Sequence, residues 1–259
     1  MNRLKSSSSC VASDQPSALS EGKPQASSAS QPYQLVAFDV DGTLVDSADG
    51  KIVWQLLNHR FGHSEGLNTK RFEAFLRKEI TYAEWVDLDI GFWAAVGATR
   101  AQMAEVIQNH LYLVPGAREA VSELRDLGYR LAVISGTLDL TLDVLFPEHP
   151  FEEVFTNRIW FDAMGKIARW QATPYDMEGK ARALAEIAGR MSVPLAKTVY
   201  VGDNLNDLEV MQLAGLAVAF EPKDPAVSST AHVVLRQDLR GLLPLLHNGN
   251  GAPTTQRET

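Results

Sequence analysis

The sequence predicts an α/β fold, with a doubly wound parallel sheet as its core and a small helical domain inserted after the first strand. Short apolar runs typical of buried parallel strands recur along the chain. Helical patterns separate these runs, and this alternation is typical of βαβ units. Residues 48–113 interrupt the alternation with a long helical stretch and no convincing strand, which predicts the insertion.

The strands and helices of the predicted core can be assigned in order. Strands are predicted from LVAFDV at 35–40, RLAVIS at 130–135, TVYVGD at 198–203, LAVAF at 216–220 and HVVL at 232–235. Helices are predicted at 116–128, 178–191 and 206–215. Two of these helical patterns end at a glycine, which suits a helix C-terminus.

The inserted segment is rich in aromatic residues, which we interpret as its hydrophobic core rather than as a ligand-binding box. They are Trp54, Phe61, Phe72, Phe75, Trp85, Phe92 and Trp93. Further along the chain, residues 156–171 are predicted to form a hairpin that turns near Met164 and Gly165.

Both ends of the chain are polar. Residues 1–33 are rich in Ser, Ala, Gln and Pro and are expected to be a disordered tail, with a transit peptide as the alternative. Residues 247–259 are expected to be a flexible C-terminal tail. The α/β core is therefore predicted to comprise residues 34–47 and 114–246, with the helical insertion at 48–113.

The composition limits the partners and the compartment that we expect. The chain has 24 Lys and Arg against 32 Asp and Glu, a net charge of -8, and no basic block, which argues against a nucleic-acid partner. The single cysteine, Cys10, cannot form an internal disulfide, and no apolar run is long enough for a membrane span or a signal peptide. We expect a cytoplasmic monomer or homodimer that acts on a small molecule and has no membrane partner.

Carboxylates and small polar residues follow three of the predicted strands. They are Asp39 and Asp41 after the first, Ser135, Gly136 and Thr137 after the second, and Asp203 and Asp207 after the third. The carboxyl ends of parallel strands form the ligand crevice of such sheets, so these residues are expected to meet there. Acids crowded together repel one another unless a cation lies among them. Oxygen ligands without histidine or cysteine favour Mg²⁺.

This set of residues has the parts needed for phosphoryl transfer. One carboxylate can attack phosphorus while a second, with a raised pKa, moves protons. Glycine at position 42 allows a sharp turn whose N–H groups can point at an anion. The Ser135 hydroxyl and the Gly136 amide can hold phosphoryl oxygens, and a lysine can neutralise their charge. Each motif alone is typical of an ordinary turn or loop, but their joint order favours the functional interpretation.

The motifs FDVDGTLV, VISGT, a lysine before a helix, and VGDNLND resemble in order and context the four motifs of the haloacid dehalogenase-like superfamily of phosphohydrolases. The resemblance extends from about residue 34 to residue 235 and implies a Rossmann-like core with a cap. It implies that Asp39 is the nucleophile and that Asp41 is the general acid and base, whose carbonyl also helps to hold Mg²⁺. The further implied roles are Asp203 as Mg²⁺ ligand, Asp207 as its support, and Ser135, Gly136 and Asn206 as phosphate binders.

Two lysines compete for the third motif. Lys180, in YDMEGKARALAEIA, stands at the start of the helix before the TVYVGD strand, as the family pattern places it. Lys166, in AMGKI, falls at the predicted hairpin turn, where a lysine is usually solvated. Lys180 is therefore preferred.

Within the superfamily the chain resembles the phosphoserine phosphatase-like group, on its helical insertion, its TNRIWFDAMGKI hairpin and its last motif. It departs from that group at two substrate-binding positions, where Ala48 stands for a glutamate and Asp89 lies near the position of a cap arginine. These departures argue against phosphoserine as the substrate. Asp46 or Asp49 could replace the glutamate, and a register shift could bring Arg77 to the site.

The segment YAEWVDLD in the predicted cap offers candidate substrate contacts. They are Tyr82, Glu84, Trp85, Asp87 and Asp89. The alternative interpretation is that Trp85 belongs to the core of the cap and that the acids form its solvated face. If the acids face the substrate, they favour a neutral or cationic leaving group such as a sugar, a polyol or an amino alcohol.

The sequence thus predicts a Mg²⁺-dependent phosphomonoester hydrolase that acts through an aspartyl-phosphate on a small phosphorylated metabolite. A phosphomutase or phosphotransferase on the same core is the first alternative. It would differ only in passing the phosphoryl group to a substrate hydroxyl instead of to water. A non-catalytic phosphate-binding module is the second, although such a module would be expected to have lost one of the motif acids.

Overall fold

The structure is a computed structural model and describes residues 31–247. Most of the two predicted tails, 1–30 and 248–259, therefore lies outside the described residues. The strands are β1 (Leu35–Phe38), β2 (Val45–Ser47), β3 (Leu111–Leu113), β4 (Arg130–Leu138), β5 (Glu153–Phe161), β6 (Ile167–Gln171), β7 (Thr198–Gly202), β8 (Leu216–Phe220) and β9 (Val233–Leu235). The α-helices are α1 (Val53–Arg60), α2 (Glu65–Leu76), α3 (Tyr82–Ala95), α4 (Arg100–His110), α5 (Ala117–Asp126), α6 (Asp139–Leu145), α7 (Lys180–Arg190), α8 (Leu208–Leu213), α9 (Pro225–Thr230) and α10 (Leu242–His247).

The central sheet has seven strands in the order β6-β5-β4-β1-β7-β8-β9. The pairs from β5 through β9 are parallel, and β6 runs antiparallel at the edge. Because β1 pairs with both β4 and β7, the residues that follow these three strands meet at one edge of the sheet. The predicted α/β fold is confirmed.

Alternating side chains of β1 supply the cores on the two faces of the sheet, as expected for a strand buried on both sides. Val36 and Phe38 belong to one apolar cluster, which includes α5, and Leu35 and Ala37 belong to the other, which includes α7. All four side chains are completely buried. The sheet is thus fixed from both faces, and the site at its edge rests on a rigid base.

Two features of the sheet were not predicted. The hairpin expected at 156–171 is formed by β5 and β6, but β5 begins earlier, at Glu153, and also pairs in parallel with β4. A small antiparallel ribbon joins β2 to β3, so residues 48–113 do contain a strand at their end. This ribbon ties together the chain segments that enter and leave the helical insertion.

Helices α1 to α4 form the insertion between the two strands of this ribbon. The indole rings of Trp54 and Trp93 lie 5.3 Å apart in its interior, and the Trp93 Nε1 donates to Asn58 Oδ1 at 2.9 Å. Both tryptophans share one apolar cluster with the sheet, so the insertion packs on the core. Helix α3 begins at Thr81, whose side chain and that of Glu84 cap each other's backbone N–H groups. None of the described helices is long and apolar enough to cross a bilayer.

Candidate active site

The turn after β1 places Asp39 and Asp41 at the carboxyl edge of the sheet. The carbonyl of Val40 accepts from the backbone N–H groups of Thr43, Leu44 and Val45, which folds the chain back on itself. Gly42 has a φ of 88°, and a Cβ at this position would overlap the carboxylate of Asp203. Glycine is therefore required both for the turn and for the approach of the neighbouring strand end.

Three buried carboxylates meet at this edge. Asp39, Asp203 and Asp207 each offer an oxygen, and these oxygens lie within 4.8 Å of one another. Asp39 follows β1, whereas Asp203 and Asp207 follow β7, so the pairing of β1 with β7 creates the group. Such crowding of buried acids is unfavourable without cations, and the chain supplies two lysines.

Lys180 is the first of these cations, and its side chain is only 1% exposed. The Nζ atom lies 3.1 Å from Asp39 Oδ2 and 2.8 Å from Asp207 Oδ1. Burial lowers the pKa of Lys180, but the carboxylates of Asp207 and Asp39 outweigh it, so the net pKa is raised and the ammonium stays charged. Lys166, the competing candidate, is exposed in the turn between β5 and β6. The structure therefore brings Lys180, and not Lys166, to the carboxylates.

Asp207 uses both of its oxygens within the protein. Oδ1 accepts from Lys180 Nζ and from the Tyr200 hydroxyl at 2.7 Å, and Oδ2 accepts from the backbone N–H groups of Asp203 and Asn204. Its hydrogen bonds thus orient Lys180 and close the loop after β7. Tyr200, which lies within β7 and is fully buried, was not identified from the sequence. A tyrosine in a predicted strand gives no signal that its hydroxyl contacts a site.

Asp203 has one oxygen left for a ligand. Oδ1 accepts from the Thr43 hydroxyl at 3.3 Å, whereas Oδ2 is buried and accepts no hydrogen bond of ordinary geometry from the described residues. The Nζ of Lys223, the second cation, lies 3.0 Å from this oxygen, but its side chain is 44% exposed. Burial raises the pKa of Asp203 to about 6, although Lys223 opposes the shift.

The donor set at this edge suits a divalent cation. It consists of buried carboxylate oxygens, of which Asp203 Oδ2 lacks a hydrogen bond and Asp39 faces the same space. Hard cations such as Mg²⁺ and Ca²⁺ prefer oxygen ligands of this kind. The residues present therefore fit a divalent metal, which Asp39 and Asp203 could hold.

The C-terminal part of β4, here called the Gly136 loop because its pairing with β5 is irregular between Ile134 and Leu138, forms the opposite wall of the crevice. Ser135 is 1% exposed, and its hydroxyl oxygen accepts from the backbone N–H of Thr137 at 3.2 Å. The carbonyl of Gly136 accepts from Trp54 Nε1 at 2.8 Å and from Asn157 Nδ2 at 2.7 Å. These two bonds fix the peptide between Gly136 and Thr137, which directly follows the Gly136 N–H that the sequence predicts to bind phosphate.

Asn157 is a second residue that the sequence did not indicate. It lies in β5 and is completely buried. Its Nδ2 also donates to the Tyr82 hydroxyl at 2.8 Å, and its Oδ1 accepts from the backbone N–H of Thr173 at 2.8 Å. One side chain therefore joins the Gly136 loop, the helical insertion and the segment before α7.

Asp41 lies beside this loop and keeps some contact with solvent. Burial nonetheless raises its pKa to about 7, while hydrogen bonding to Thr137 lowers it and the nearby carboxylate of Asp176 raises it further. A carboxyl group with a pKa near neutrality can both donate and accept a proton under physiological conditions.

Asp176 is the third residue that was missed. Its carboxylate lies against Gly136, where a side chain in place of the glycine hydrogen would overlap it. Asn206 Nδ2 donates to Asp176 Oδ1 at 3.3 Å, so the residue predicted to bind phosphate contacts this acid instead. Burial is the main cause of the raised pKa of Asp176, and Lys180 opposes the shift. Its position four residues before Lys180 was the available signal in the sequence.

A small cavity of about 100 Å³ opens beside Gly136, between the insertion and the segment before α7. Tyr82, Trp85 and Asp89, the predicted specificity residues, line it together with Trp54 and Asp176. Phe72 and Phe75 support Trp85, each with its ring centre 6.1 Å from the indole.

The acids of α3 do not present free charges to this cavity. Asp89 is 1% exposed and forms an ion pair with Arg71. Glu84 caps its own helix, and Asp87 accepts from Trp170 Nε1 at 2.7 Å. The expectation that these acids face the substrate is therefore not met, because the carboxylate of each one is paired with another group of the protein.

The remaining alternatives for substrate contacts lie on the outer surface or serve local turns. Arg77 is exposed and pairs with Glu79 at 2.8 Å, whereas Arg71 is the arginine of α2 that points inward. Asp49 is exposed and lies 2.6 Å from the Nζ of Lys51. Asp46 accepts from the backbone N–H of the residue that follows it. Arg77, Asp49 and Asp46 therefore bring no charged group to the cavity.

Comparison with known proteins agrees with this geometry. The phosphoserine phosphatase SerB2 of Mycobacterium tuberculosis is 33% identical over 202 residues, which cover 78% of this chain and 47% of that protein. The phosphoserine phosphatase of Lactococcus lactis is 25% identical and is matched over 93% of its length. The chain spans about half the length of the first two curated relatives that it matches.

Solved structures and a family model show which fold and which protein family the chain shares. An apo phosphoserine phosphatase superposes with a TM-score of 0.64 at 25% identity, covering 83% of this chain and 99% of that one. A probable phosphoserine phosphatase from Vibrio cholerae has a TM-score of 0.69 at 24% identity and covers 84% of this chain and 65% of that one. The model of haloacid dehalogenase-like hydrolases matches residues 33–215. The family resemblance seen in the motifs is thereby confirmed, and the chain belongs to the haloacid dehalogenase-like hydrolases.

Proposed function

We propose that the protein hydrolyses a small phosphomonoester through an aspartyl-phosphate formed on Asp39, with Mg²⁺ as its divalent cation. The observation that carries this proposal is the position of the Lys180 ammonium, which touches Asp39 and Asp207 while Asp203 Oδ2 beside them has no hydrogen bond. Such a crevice has a fixed positive charge for a phosphoryl group, and its Asp203 oxygen is paired only with the partly exposed Lys223, which a metal ion could displace. The similarity to phosphoserine phosphatases supports the same reaction class.

In the first half of the reaction, a carboxylate oxygen of Asp39 attacks phosphorus. The phosphorus–oxygen bond to the alcohol breaks, and Asp41 donates its proton to the departing oxygen. In the second half, Asp41 takes a proton from water, whose oxygen attacks phosphorus and releases inorganic phosphate and the Asp39 carboxylate. The pKa of Asp41, raised to about 7 chiefly by burial, matches both duties.

The groups around Asp39 stabilise the charge that accumulates on the phosphoryl oxygens. Lys180 is held in place by Asp207, so its ammonium needs no reorganisation during the reaction. The Ser135 hydroxyl and the N–H of Gly136 lie on the opposite wall, and the bonds of Trp54 and Asn157 to the Gly136 carbonyl anchor the peptide that follows this N–H. Bound Mg²⁺, held by Asp39, Asp203 and the Asp41 carbonyl with Asp207 in support, would neutralise further phosphoryl charge.

The direct test is the release of inorganic phosphate from a panel of small phosphomonoesters. It should be run with Mg²⁺, then with EDTA, and then with Mg²⁺ restored. The panel should contain phosphoserine, a sugar phosphate, a polyol phosphate and phosphoethanolamine. We expect release that EDTA abolishes and Mg²⁺ restores.

Asp39→Asn keeps the shape of the nucleophile and removes its reactivity, so turnover should fall by about 10⁴-fold or more. Asp126→Asn is the matched control, because Asp126 is an exposed acid on α5 far from the crevice. Phosphate release by Asp39→Asn at the wild-type rate would refute the proposal. Transfer of the phosphoryl group to an added alcohol, without release of phosphate, would identify a phosphotransferase instead.

A further inference from the structure

We infer that the cavity beside Gly136, here called the leaving-group pocket, selects phosphomonoesters whose alcohol carries an ammonium group, with Asp176 as its counter-charge. The pocket is lined by Trp54, Tyr82, Trp85, Asp176, Met177 and neighbouring residues. The inference rests on the proposed function and names the substrate class for the same site: the phosphate ester of a small amino alcohol.

The pocket adjoins Gly136, whose N–H is proposed to hold the phosphoryl group. Two of its lining residues contact the peptide of Gly136: Trp54 donates to the carbonyl, and Asp176 lies against the α-carbon. The electrostatic influence of Asp176 reaches Asp41, which hands its proton to the leaving oxygen in the proposed mechanism. An alcohol leaving from the side of Asp41 therefore meets Asp176 first.

Asp176 lacks a cationic partner of its own. Among the residues from 31 to 247 its carboxylate forms no salt bridge, and its polar contacts are Asn206 and the Tyr82 hydroxyl. Lys180 influences it electrostatically, but the Lys180 ammonium is bonded to Asp207 and lies against Asp39. A partly buried carboxylate without a bonded cation is stabilised by a cation that arrives with the substrate.

The walls of the pocket also suit an ammonium group. Three of the lining side chains are aromatic, and the faces of Trp and Tyr rings attract cations. None of the described residues lining the pocket is basic. The inward-facing arginine, Arg71, is neutralised by Asp89, so a carboxylate on the substrate would meet Asp176 without a free partner.

The pocket is small. Its volume of about 100 Å³ is well below the roughly 300 Å³ at which drug-sized ligand sites begin. Tyr82, Asp176 and Met177 also line an adjoining cavity of about 550 Å³. The pocket itself therefore holds an alcohol of a few non-hydrogen atoms, and a larger alcohol would extend into the adjoining cavity.

The test compares kcat/KM for phosphoethanolamine and phosphocholine with that for propyl phosphate, which has a similar size and no charge on its alcohol. Phosphoserine is the fourth substrate, because it carries the ammonium together with a carboxylate. We expect the two ammonium esters to exceed propyl phosphate by about tenfold or more and phosphoserine to fall below phosphoethanolamine.

Two variants assign the preference to the pocket. Asp176→Asn should reduce the ratio of phosphoethanolamine to propyl phosphate by about tenfold, because it removes the counter-charge and keeps the shape. Glu178→Gln is the matched control, since Glu178 is an exposed acid two residues away on the same segment, and it should leave the ratio as it is. Trp85→Leu removes an aromatic face and should lower the ratio for phosphocholine. If Asp176→Asn does not fold, the Trp85→Leu variant tests the inferred preference for an ammonium group.

The outcomes separate this inference from the proposed function. If propyl phosphate or phosphoserine is hydrolysed as well as the ammonium esters, or if the ratio is the same in Asp176→Asn and Trp85→Leu, the inference is wrong while the phosphatase stands. If no ester in the panel is hydrolysed with Mg²⁺, the proposed function fails and the inference falls with it.

Discussion

The carboxylate cluster and the leaving-group pocket adjoin each other but are built differently. Lys180, Asp203 and Asp207 are at most 1% exposed, follow strands or begin a helix of the core, and are held by several polar contacts each. Tyr82, Trp85 and Asp176 are partly exposed and come from the insertion and a loop. In the proposed reaction, the sheet therefore fixes the groups that perform the chemistry, whereas the insertion and the loop supply the groups proposed to select the substrate. Changes in the cluster should therefore affect all esters alike, and changes in the pocket should alter their ranking.

The largest expected effect comes from the cluster. Lys180→Met should lower kcat for every phosphomonoester by about 10²- to 10³-fold, because it removes the charge that stabilises the phosphoryl oxygens. It should also lower the free energy of unfolding by about 3–5 kcal/mol, since Asp39 and Asp207 lose a buried partner. Lys166→Met, at the exposed hairpin turn, is the control and should change neither quantity. A Lys180 variant that kept a tenth of the activity would contradict the role of this lysine.

Asn157 connects the two regions, and its loss should affect both. Asn157→Ala removes the donor to Gly136 and Tyr82 and the acceptor for Thr173. We expect the free energy of unfolding to fall by about 1–3 kcal/mol and kcat to fall by about tenfold for all esters. Urea unfolding and steady-state kinetics measure the two effects.

Thr156→Val is the matched control for this variant in the same strand. The Thr156 hydroxyl is buried without a hydrogen-bond partner, so its removal should not destabilise the protein. If Asn157→Ala were as stable and as active as Thr156→Val, the hydrogen bonds of Asn157 would contribute neither to the free energy of unfolding nor to kcat.

Lys223 lies on the solvent side of the cluster and should affect the metal rather than the chemistry. Its ammonium is 3.0 Å from Asp203 Oδ2, the oxygen proposed for Mg²⁺. Lys223→Met should therefore lower the Mg²⁺ concentration for half-maximal activity by about threefold, in line with the small energy of a partly exposed ion pair. A Mg²⁺ titration of activity measures this. An unchanged or higher requirement would show that Lys223 does not compete with the metal.

The smallest effect on activity is expected at Asp139, which begins α6 beyond the Gly136 loop. Burial raises the pKa of Asp139 to about 6, so its ionised form is disfavoured in the folded protein. Folding therefore takes up a proton at this site, and the protein loses stability as the pH rises from about 4 to above 6. Asp139→Asn keeps the oxygen that accepts from the backbone N–H groups of Leu140 and Ile159 and removes the charge.

We expect Asp139→Asn to raise the free energy of unfolding by about 1–3 kcal/mol at pH 8. The gain should shrink as the pH falls and vanish below about pH 3, where the wild-type carboxyl is neutral in both states. Thermal or urea unfolding of both proteins across this pH range measures it. A gain of equal size at pH 4 and pH 8 would show that the effect is not electrostatic.

The parts of the molecule that could be predicted from sequence are those with local signals. Apolar runs of four to six residues identified the central strands, and the polar residues directly after them identified Asp39, Asp203 and Ser135. Lys180 was preferred over Lys166 because it begins a helix rather than a turn. Strand β5 was predicted only in part, since its first half mixes polar with apolar residues.

The parts that could not be predicted depend on contacts between residues distant in the chain. Asn157 meets Tyr82 across 75 positions, and Trp54 meets Gly136 across 82. Asp89 was predicted either to contact the substrate or to lie on a solvated face, but it is buried and its partner Arg71 lies on a neighbouring helix. Asp176 stands four residues before Lys180, but its contact with Gly136 forms only in the folded molecule. Pairing of charges is a property of the folded molecule, and only local segments can be assessed in the sequence.

The most direct test of the central claim is to trap the phosphorylated protein. The protein is mixed with a hydrolysable phosphomonoester and Mg²⁺, quenched in acid within one turnover, digested, and its peptides are analysed by mass spectrometry. The account predicts one added phosphoryl group on the peptide that contains Asp39, which forms and disappears more slowly in Asp41→Asn because both steps are slowed, and none in Asp39→Asn. A phosphoryl group on another residue, or phosphate release with no phosphorylated peptide in either the wild type or Asp41→Asn, would contradict the account.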